Sequence, residues 1–194
     1  MKLRAALAMT AAVSLAGCGL NSIPTAEENA KARWADVQND YQRRADLIPN
    51  LVATVKAAGA QEKSILVEVT QARAGAQSTQ LSGDDLKDPA KVAAFQRAQG
   101  AVTMSLQRLQ EAYPELKSQG NYTTLMSQLE GTENRIAIAR RDYNQAVQEY
   151  NTRIRTFPDA VGAKVFYGAK PMVPFAATTP GADTAPSVNF GNAN

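Results

Sequence analysis

From Tyr122 to Tyr150 one apolar stripe runs unbroken through the chain: Tyr122, Leu125, Leu129, Thr132, Ile136, Ala139, Tyr143, Ala146 and Tyr150, three and four residues apart in alternation. Only a helix of about 3.6 residues per turn keeps such positions on one face over this length. Ile154 and Phe157 extend the spacing, and Pro158 stops it. The spacing predicts a helix over about 121–157, roughly 50 Å long at 1.5 Å per residue. A stripe this long needs a partner to cover it.

Three further stripes supply one. Ala30, Trp34, Val37, Tyr41, Arg44, Ile48, Leu51, Val55 and Ala58 place a second long helix over about 27–58, with Arg44 the only charged member and Gly59 at its end. Ile65, Val69, Ala72 and Ala76, flanked by Leu66, make a shorter helix that dissolves into the loop AGAQSTQLSGDD. Asp88-Pro89 opens the third helix in chain order, with an N-cap acceptor and proline at the first helical position. Its stripe is Val92, Phe95, Gln99, Val102, Leu106, Leu109 and Tyr113, closed by Pro114.

Four amphipathic helices with short connections give an all-α fold, an antiparallel up-down four-helix bundle. The first and fourth helices are longest, so they extend beyond the others as a two-helix stalk, with Trp34 to Tyr41 facing Tyr143 to Tyr150. Antiparallel pairing makes their residue numbers sum to about 180, as the helix lengths require. Arg44 then lies opposite about Ile136, with Glu133 or Glu130 in reach.

RRADLIPNLV (43–52) interrupts the first helix with Pro49, which removes a backbone donor and crowds the preceding turn. Two readings stand: a kink in one long helix, or a new helix capped by Asp46. The unbroken phase of the stripe favours the kink, with Gly131 across from it leaving room for the bend.

The N-terminus carries Lys2 and Arg4, then an uncharged, mostly apolar run too short to span a bilayer, then Leu15-Ala16-Gly17-Cys18. LAGC resembles the bacterial lipobox, which implies a lipoprotein signal over 1–17 and an acylated Cys18 that anchors the chain in the membrane. Gly19 and Leu20 follow where an aspartate would hold such a lipoprotein in the inner membrane, so the outer membrane is favoured. The expected location is the cell or outer membrane, facing the periplasm or the exterior. Cys18 is the sole cysteine, so no disulfide framework is expected. Losing Lys2 and Arg4 leaves 19 basic residues against 18 acidic ones. A near-neutral chain without a clustered basic face gives no argument for nucleic acid.

Beyond the lipobox, residues 18–26 read as a tether, 27–157 as the bundle, 158–175 as an extension and 176–194 as a disordered tail. The extension, DAVGAKVFYGAKPMVPF, pairs Lys164 and Lys170 with Phe166, Tyr167 and Phe175. It either rests among lipid headgroups or folds along the stalk.

RRADLIPNLV, the Glu62-Lys63 pair, VTQARA, EAYPELK, LEGTENRIAIARRDYNQAVQEYN and the TFP at 156–158 together resemble the LemA family of bacterial envelope proteins. PSVNF near the end is similar to that family's C-terminal signature. The resemblance implies a helical bundle, association with membranes and, in some bacteria, with magnetosomes. It implies no enzyme activity, cofactor or catalytic residue. Members usually carry an N-terminal transmembrane segment, which the lipobox replaces here.

The chain has no histidine, which removes Ser/His and Cys/His nucleophilic catalysis and the Glu-x-x-His pairs of carboxylate-bridged metal bundles. Glu130 and Glu133 alone do not make a metal site. No glycine-rich loop is followed by Lys-Ser/Thr, so no phosphate cradle is present. No catalytic residue, cofactor or small-molecule substrate is expected. The polar residues Arg44, Asp46, Asn50, Glu130, Glu133 and Arg135 read as a network that fixes helix register, beside the alternatives of a solvated face or a ligand site. The function expected is a lipid-anchored, non-enzymatic scaffold that meets other envelope proteins through its membrane-distal loops or the polar flank of the fourth helix. The alternative is a membrane-surface lipid-binding or remodelling module using the basic, aromatic extension.

Overall fold

The computed structural model describes residues 21–59 and 63–176; the signal segment, Cys18 and the tail from residue 177 lie outside them. Among the described residues every regular element is helical. The long elements are α1 (Ser22–Ala57), α2 (Lys63–Ser78), α3 (Pro89–Ala112) and α4 (Gly120–Arg153). Short 3-10 turns, Asp85–Lys87 and Pro114–Ser118, lead into α3 and α4. A single turn, α5 (Asp159–Gly162), continues into a π-helical turn, Ala163–Tyr167. The chain then runs without regular structure to residue 176.

α1 packs along α4, and α2 along α3. Trp34 meets Tyr143 and Arg44 meets Glu133, so numbers rise in α1 as they fall in α4 and the pair is antiparallel. Ile23, Ala26, Ala30, Trp34, Val37, Tyr41, Ile48, Leu51 and Val55 are buried on α1, and Tyr122, Leu129, Ile136, Ala139, Tyr143, Ala146 and Tyr150 on α4. The 3-4 stripes are therefore the buried faces. α3 opens as its sequence dictates, with Asp88 Oδ1 accepting from the backbone of Ala90 at 2.8 Å and Lys91 at 3.4 Å.

Four boundaries differ from the sequence reading. Residues 22–26 are helix rather than tether: Ile23 and Ala26 are buried, and Pro24 falls in the first turn, where its missing donor costs nothing. α2 continues to Ser78 through the stretch expected to be loop, because Ala76 is buried against the core. α4 ends at Arg153, and Phe157 is not part of its stripe but 86% exposed. Nor is the outer half of α1 and α4 a bare two-helix stalk. Leu81, Leu86, Val92, Phe95, Met172 and Phe175 pack onto it in one cluster with Trp34 and Tyr143. Two helices alone bury too little of a Trp or Tyr ring, and the 79–88 connection, the start of α3 and the 169–176 segment complete the cover.

α1 is one continuous helix through Pro49 rather than two helices meeting at Asp46. Proline at 49 has no N–H to give to the carbonyl of residue 45. That carbonyl instead accepts from Arg73 Nε of α2 at 2.8 Å. The vacancy in the helix ladder thus becomes a docking point for the neighbouring helix. A Cβ built on Gly131 meets no heavy atom within 4 Å, so no close approach requires a glycine there.

Arg73→Ala is expected to lower stability by about 1.5–3 kcal/mol, the range for a hydrogen bond to a charged donor. In a Pro49→Ala background residue 49 reclaims the Ala45 carbonyl, so the same change costs less than half as much by urea unfolding. An equal cost in both backgrounds would mean that Arg73 contributes through something other than this bond.

Candidate functional site

Arg44 is the one charged residue of the α1 stripe, and it is 3% exposed. Its Nη1 donates to Thr103 Oγ1 at 2.9 Å and to Glu133 Oε2 at 3.0 Å. Its Nη2 donates to the Gln99 carbonyl at 3.1 Å and to Gln99 Oε1 at 2.7 Å. The guanidinium also lies over the Tyr41 ring, 5.1 Å from its centre. A cation at this depth is tolerable only with its donors met, and here three helices meet them: α1 brings the charge, α3 two neutral acceptor side chains and a carbonyl, α4 the counter-charge.

The partners are unequal. Glu133 is 48% exposed on its side chain and so partly screened by water, whereas Gln99 is buried. Burial pushes the Tyr41 hydroxyl above its usual range, while the Arg140 and Arg44 charges pull the other way. A cleft of about 250 Å³ opens beside Arg44, lined by Gln38, Gln42, Arg73, Gln77 and Gln99. A groove of about 680 Å³ lies on its other side, bordered by Arg97, Met104, Glu133 and Arg140.

Of the network read from sequence, Arg44 and Glu133 come together. Arg135 sits nearby, donating to Thr132 Oγ1 at 3.3 Å and 3.9 Å from Asp40. The remaining three do not join them. Asp46 is exposed and accepts from Gln42 of its own helix at 2.7 Å. The side chains of Asn50 and Glu130 are exposed and take no hydrogen bond or ion pair among the described residues. Gln99 and Thr103 were missed as partners. The signal available was that Gln99 occupies a stripe position as Arg44 does, and two polar groups on buried faces must find each other.

A second constellation escaped the sequence reading. DYNQAVQEYN holds two Tyr-Asn pairs one heptad apart, Tyr143-Asn144 and Tyr150-Asn151. Asn151 accepts from the Met172 N–H at 2.9 Å and donates to its carbonyl at 2.8 Å. Asn144 does the same to Phe175, at 2.7 and 3.0 Å. Tyr143 and Tyr150 donate to the carbonyls of Val173 and Lys170, each at 3.1 Å. The Val173 N–H reaches the Leu86 carbonyl at 2.8 Å, and Arg140 lies over the Phe175 ring. The C-terminal segment is thus strapped along α4, with Met172 and Phe175 buried beneath. Burial holds both hydroxyls protonated, pushing Tyr150 up to about 12 and Tyr143 still higher.

Among the described residues no cluster of three or more Asp, Glu, Cys or His side chains converges as a metal site requires. No helix among them is long and apolar enough to cross a membrane. The side-chain chemistry described is that of an all-helical protein whose strongest polar interactions join its own elements.

The LemA family model matches residues 33–190, and the chain belongs to the LemA family. It is 31% identical over 157 residues to the magnetosome proteins MamQ 1 and MamQ 2 of Paramagnetospirillum magneticum (strain ATCC 700264 / AMB-1), a match covering 71% of this chain. It is 29% identical over 157 residues to the magnetosome protein MamQ of Magnetospirillum gryphiswaldense (strain DSM 6361 / JCM 21280 / NBRC 15271 / MSR-1), with the same coverage. The matched region spans 58% of each of these relatives.

Arg44→Ala is expected to cost about 3 kcal/mol, from an orphaned buried carbonyl and lost packing. Glu133→Gln is expected to cost under about 1 kcal/mol, as for an exposed pair. Equal losses on urea unfolding would mean that the ion pair, not the three-helix junction, is what matters. Asn151→Ala is expected to raise amide exchange at Met172 at least about tenfold, as loss of a hydrogen bond worth over 1 kcal/mol implies. Unchanged protection there would leave the strap held by Met172 and Phe175 burial alone.

Proposed function

We propose that this protein is a lipid-anchored, non-enzymatic scaffold of the cell envelope. Its helices form an up-down four-helix bundle, and acylated Cys18 fixes it to the cell or outer membrane on the periplasmic or exterior side. The observation that carries the reading is how the conspicuous polar residues are used. Arg44, Gln99, Glu133, Asn144 and Asn151 bond to the chain's own groups, so the polar residues on and beside the buried faces join helices and strap. Membership of the LemA family and the naming of relatives as magnetosome proteins support association with a membrane-bound structure. Partners are other envelope proteins, met on the exposed flank of α4 around Glu130 and Asn134 or at the Gly59 end of the helices.

Expression of the full chain with a labelled fatty acid tests the anchor. The wild-type chain is expected to carry the label and to fractionate with membranes, and Cys18→Ser to lose both. Wild-type protein free of label overturns the anchor. Crosslinking of the wild-type chain in its own membranes is expected to recover a reproducible set of envelope proteins, and recovery of nothing beyond the chain itself overturns the scaffold.

A further inference from the structure

Large apolar side chains are exposed very unevenly in this molecule. Val67, Met104 and Ile138 are scattered, whereas Phe157, Val161, Val165, Phe166 and Tyr167 fall within one short segment. Phe157 is 86% exposed, Phe166 69% and Val165 68%. Over α5 and the π-helical turn the usual order is inverted: Gly162 and Ala163 face the core, and the large residues face outward. Single exposed apolar residues need no explanation, but a contiguous group marks a contact surface.

The segment is held rigidly in that outward pose. Asp159 accepts from Ser22 Oγ at 2.7 Å, tying it to the start of α1. On the other side Tyr150 and Asn151 hold the backbone at Lys170 and Met172. Collapse of the apolar group onto the core would break these bonds.

Charge and chain length select the occupant. Arg155, Lys164 and Lys170 lie beside the group in sequence and are exposed, while Arg153 is paired with Glu149 at 2.8 Å and Asp159 is engaged by Ser22. Aromatic and aliphatic side chains flanked by long basic ones suit a bilayer interface, with rings at the acyl boundary and ammonium groups among anionic headgroups. The surface also lies at the Asn21 end of α1, and only Gly19 and Leu20 separate Asn21 from Cys18. Three residue steps at about 3.5 Å each limit the distance from Asn21 to an acylated Cys18 to about 10 Å.

We propose that Phe157, Val161, Val165, Phe166 and Tyr167, with Arg155, Lys164 and Lys170 beside them in sequence, form a membrane-seating surface that inserts into the interface of an anionic bilayer. Its position next to a lipid anchor rests on the acylation of Cys18; its apolar and basic character does not. The surface supplies the second contact that turns a flexible tether into a fixed orientation, with α1 and α4 leading away from the bilayer.

The test uses the full chain with Cys18→Ser throughout, so that it is independent of acylation. An environment-sensitive fluorophore is placed on Phe166→Cys or, as the remote control, on Val67→Cys. On vesicles of phosphatidylcholine with three parts in ten phosphatidylglycerol, the label at 166 is expected to shift to the blue and to be quenched by lipids spin-labelled near the headgroup. The label at 67 is expected to do neither. Binding is expected to weaken several-fold on phosphatidylcholine alone, and at least tenfold when Val161→Ser and Val165→Ser are added to the 166-labelled chain. The emission of the buried Trp34 reports that this variant remains folded. Three results overturn the proposal: no vesicle binding, binding with an unmoved label at 166, or a blue shift without vesicles that grows with protein concentration and so identifies a second copy as the occupant.

Discussion

α1 and α4 lie antiparallel along nearly their whole length, and the other contacts take their positions from that pairing. Each helix offers a stripe of apolar residues three and four apart, and only one antiparallel register superimposes them while placing Trp34 on Tyr143 and Arg44 on Glu133. A slip of one helical turn would carry the Arg44 guanidinium away from Gln99, Thr103 and Glu133 together and leave buried donors unmet. Desolvation of a misplaced charge costs more than a few apolar contacts return. The apolar stripes therefore draw the helices together, and the buried arginine penalises the wrong alignment.

Two helices alone make a thin core, and the molecule thickens it in two ways. Toward the Gly59 end, α2 and α3 pack alongside, with α2 located partly by the carbonyl that Pro49 vacates. Toward the Asn21 end, only the first turns of α3 reach the pair, through Val92 and Phe95. There the 79–88 connection supplies Leu81 and Leu86, and the C-terminal strap supplies Met172 and Phe175. Irregular backbone packed against a core must have its polar groups met, which explains why asparagines stand beside the buried tyrosines on α4. Each Asn pairs one strap residue through both its N–H and its C=O, as a neighbouring strand does in a sheet. The strap's course also sets the outward pose of residues 157–167, so a packing solution at this end leaves an apolar surface on the outside.

Local rules were sufficient for much of this. The stripes, the Asp88-Pro89 helix start and the odd charge at Arg44 are each readable from a few neighbouring residues, because helical periodicity and capping are short-range effects. What could not be read was every decision between distant segments. Asp46, Asn50 and Glu130 are near Arg44 or Glu133 in sequence, yet they point to solvent, while Gln99 and Thr103 arrive from α3. Phe157 keeps the period of α4 but lies past Arg153, where the helix has ended, so its phase no longer means burial. The Tyr-Asn heptad was visible as a pattern, but its partner, an extended backbone, carries no side-chain signature of its own.

The amino-acid sequence by itself determined the helices, their buried faces, the family and the charge that had to be buried, since these follow from composition and spacing within single elements. The tertiary structure alone decided which acceptors surround Arg44, that Pro49 serves α2 through the Ala45 carbonyl, and that the C-terminal segment covers Trp34. It also decided that the largest apolar residues of 157–167 face outward. These outcomes depend on the relative placement of segments tens of residues apart, which hydrophobic period does not encode, because a stripe specifies that a face is covered and not by what.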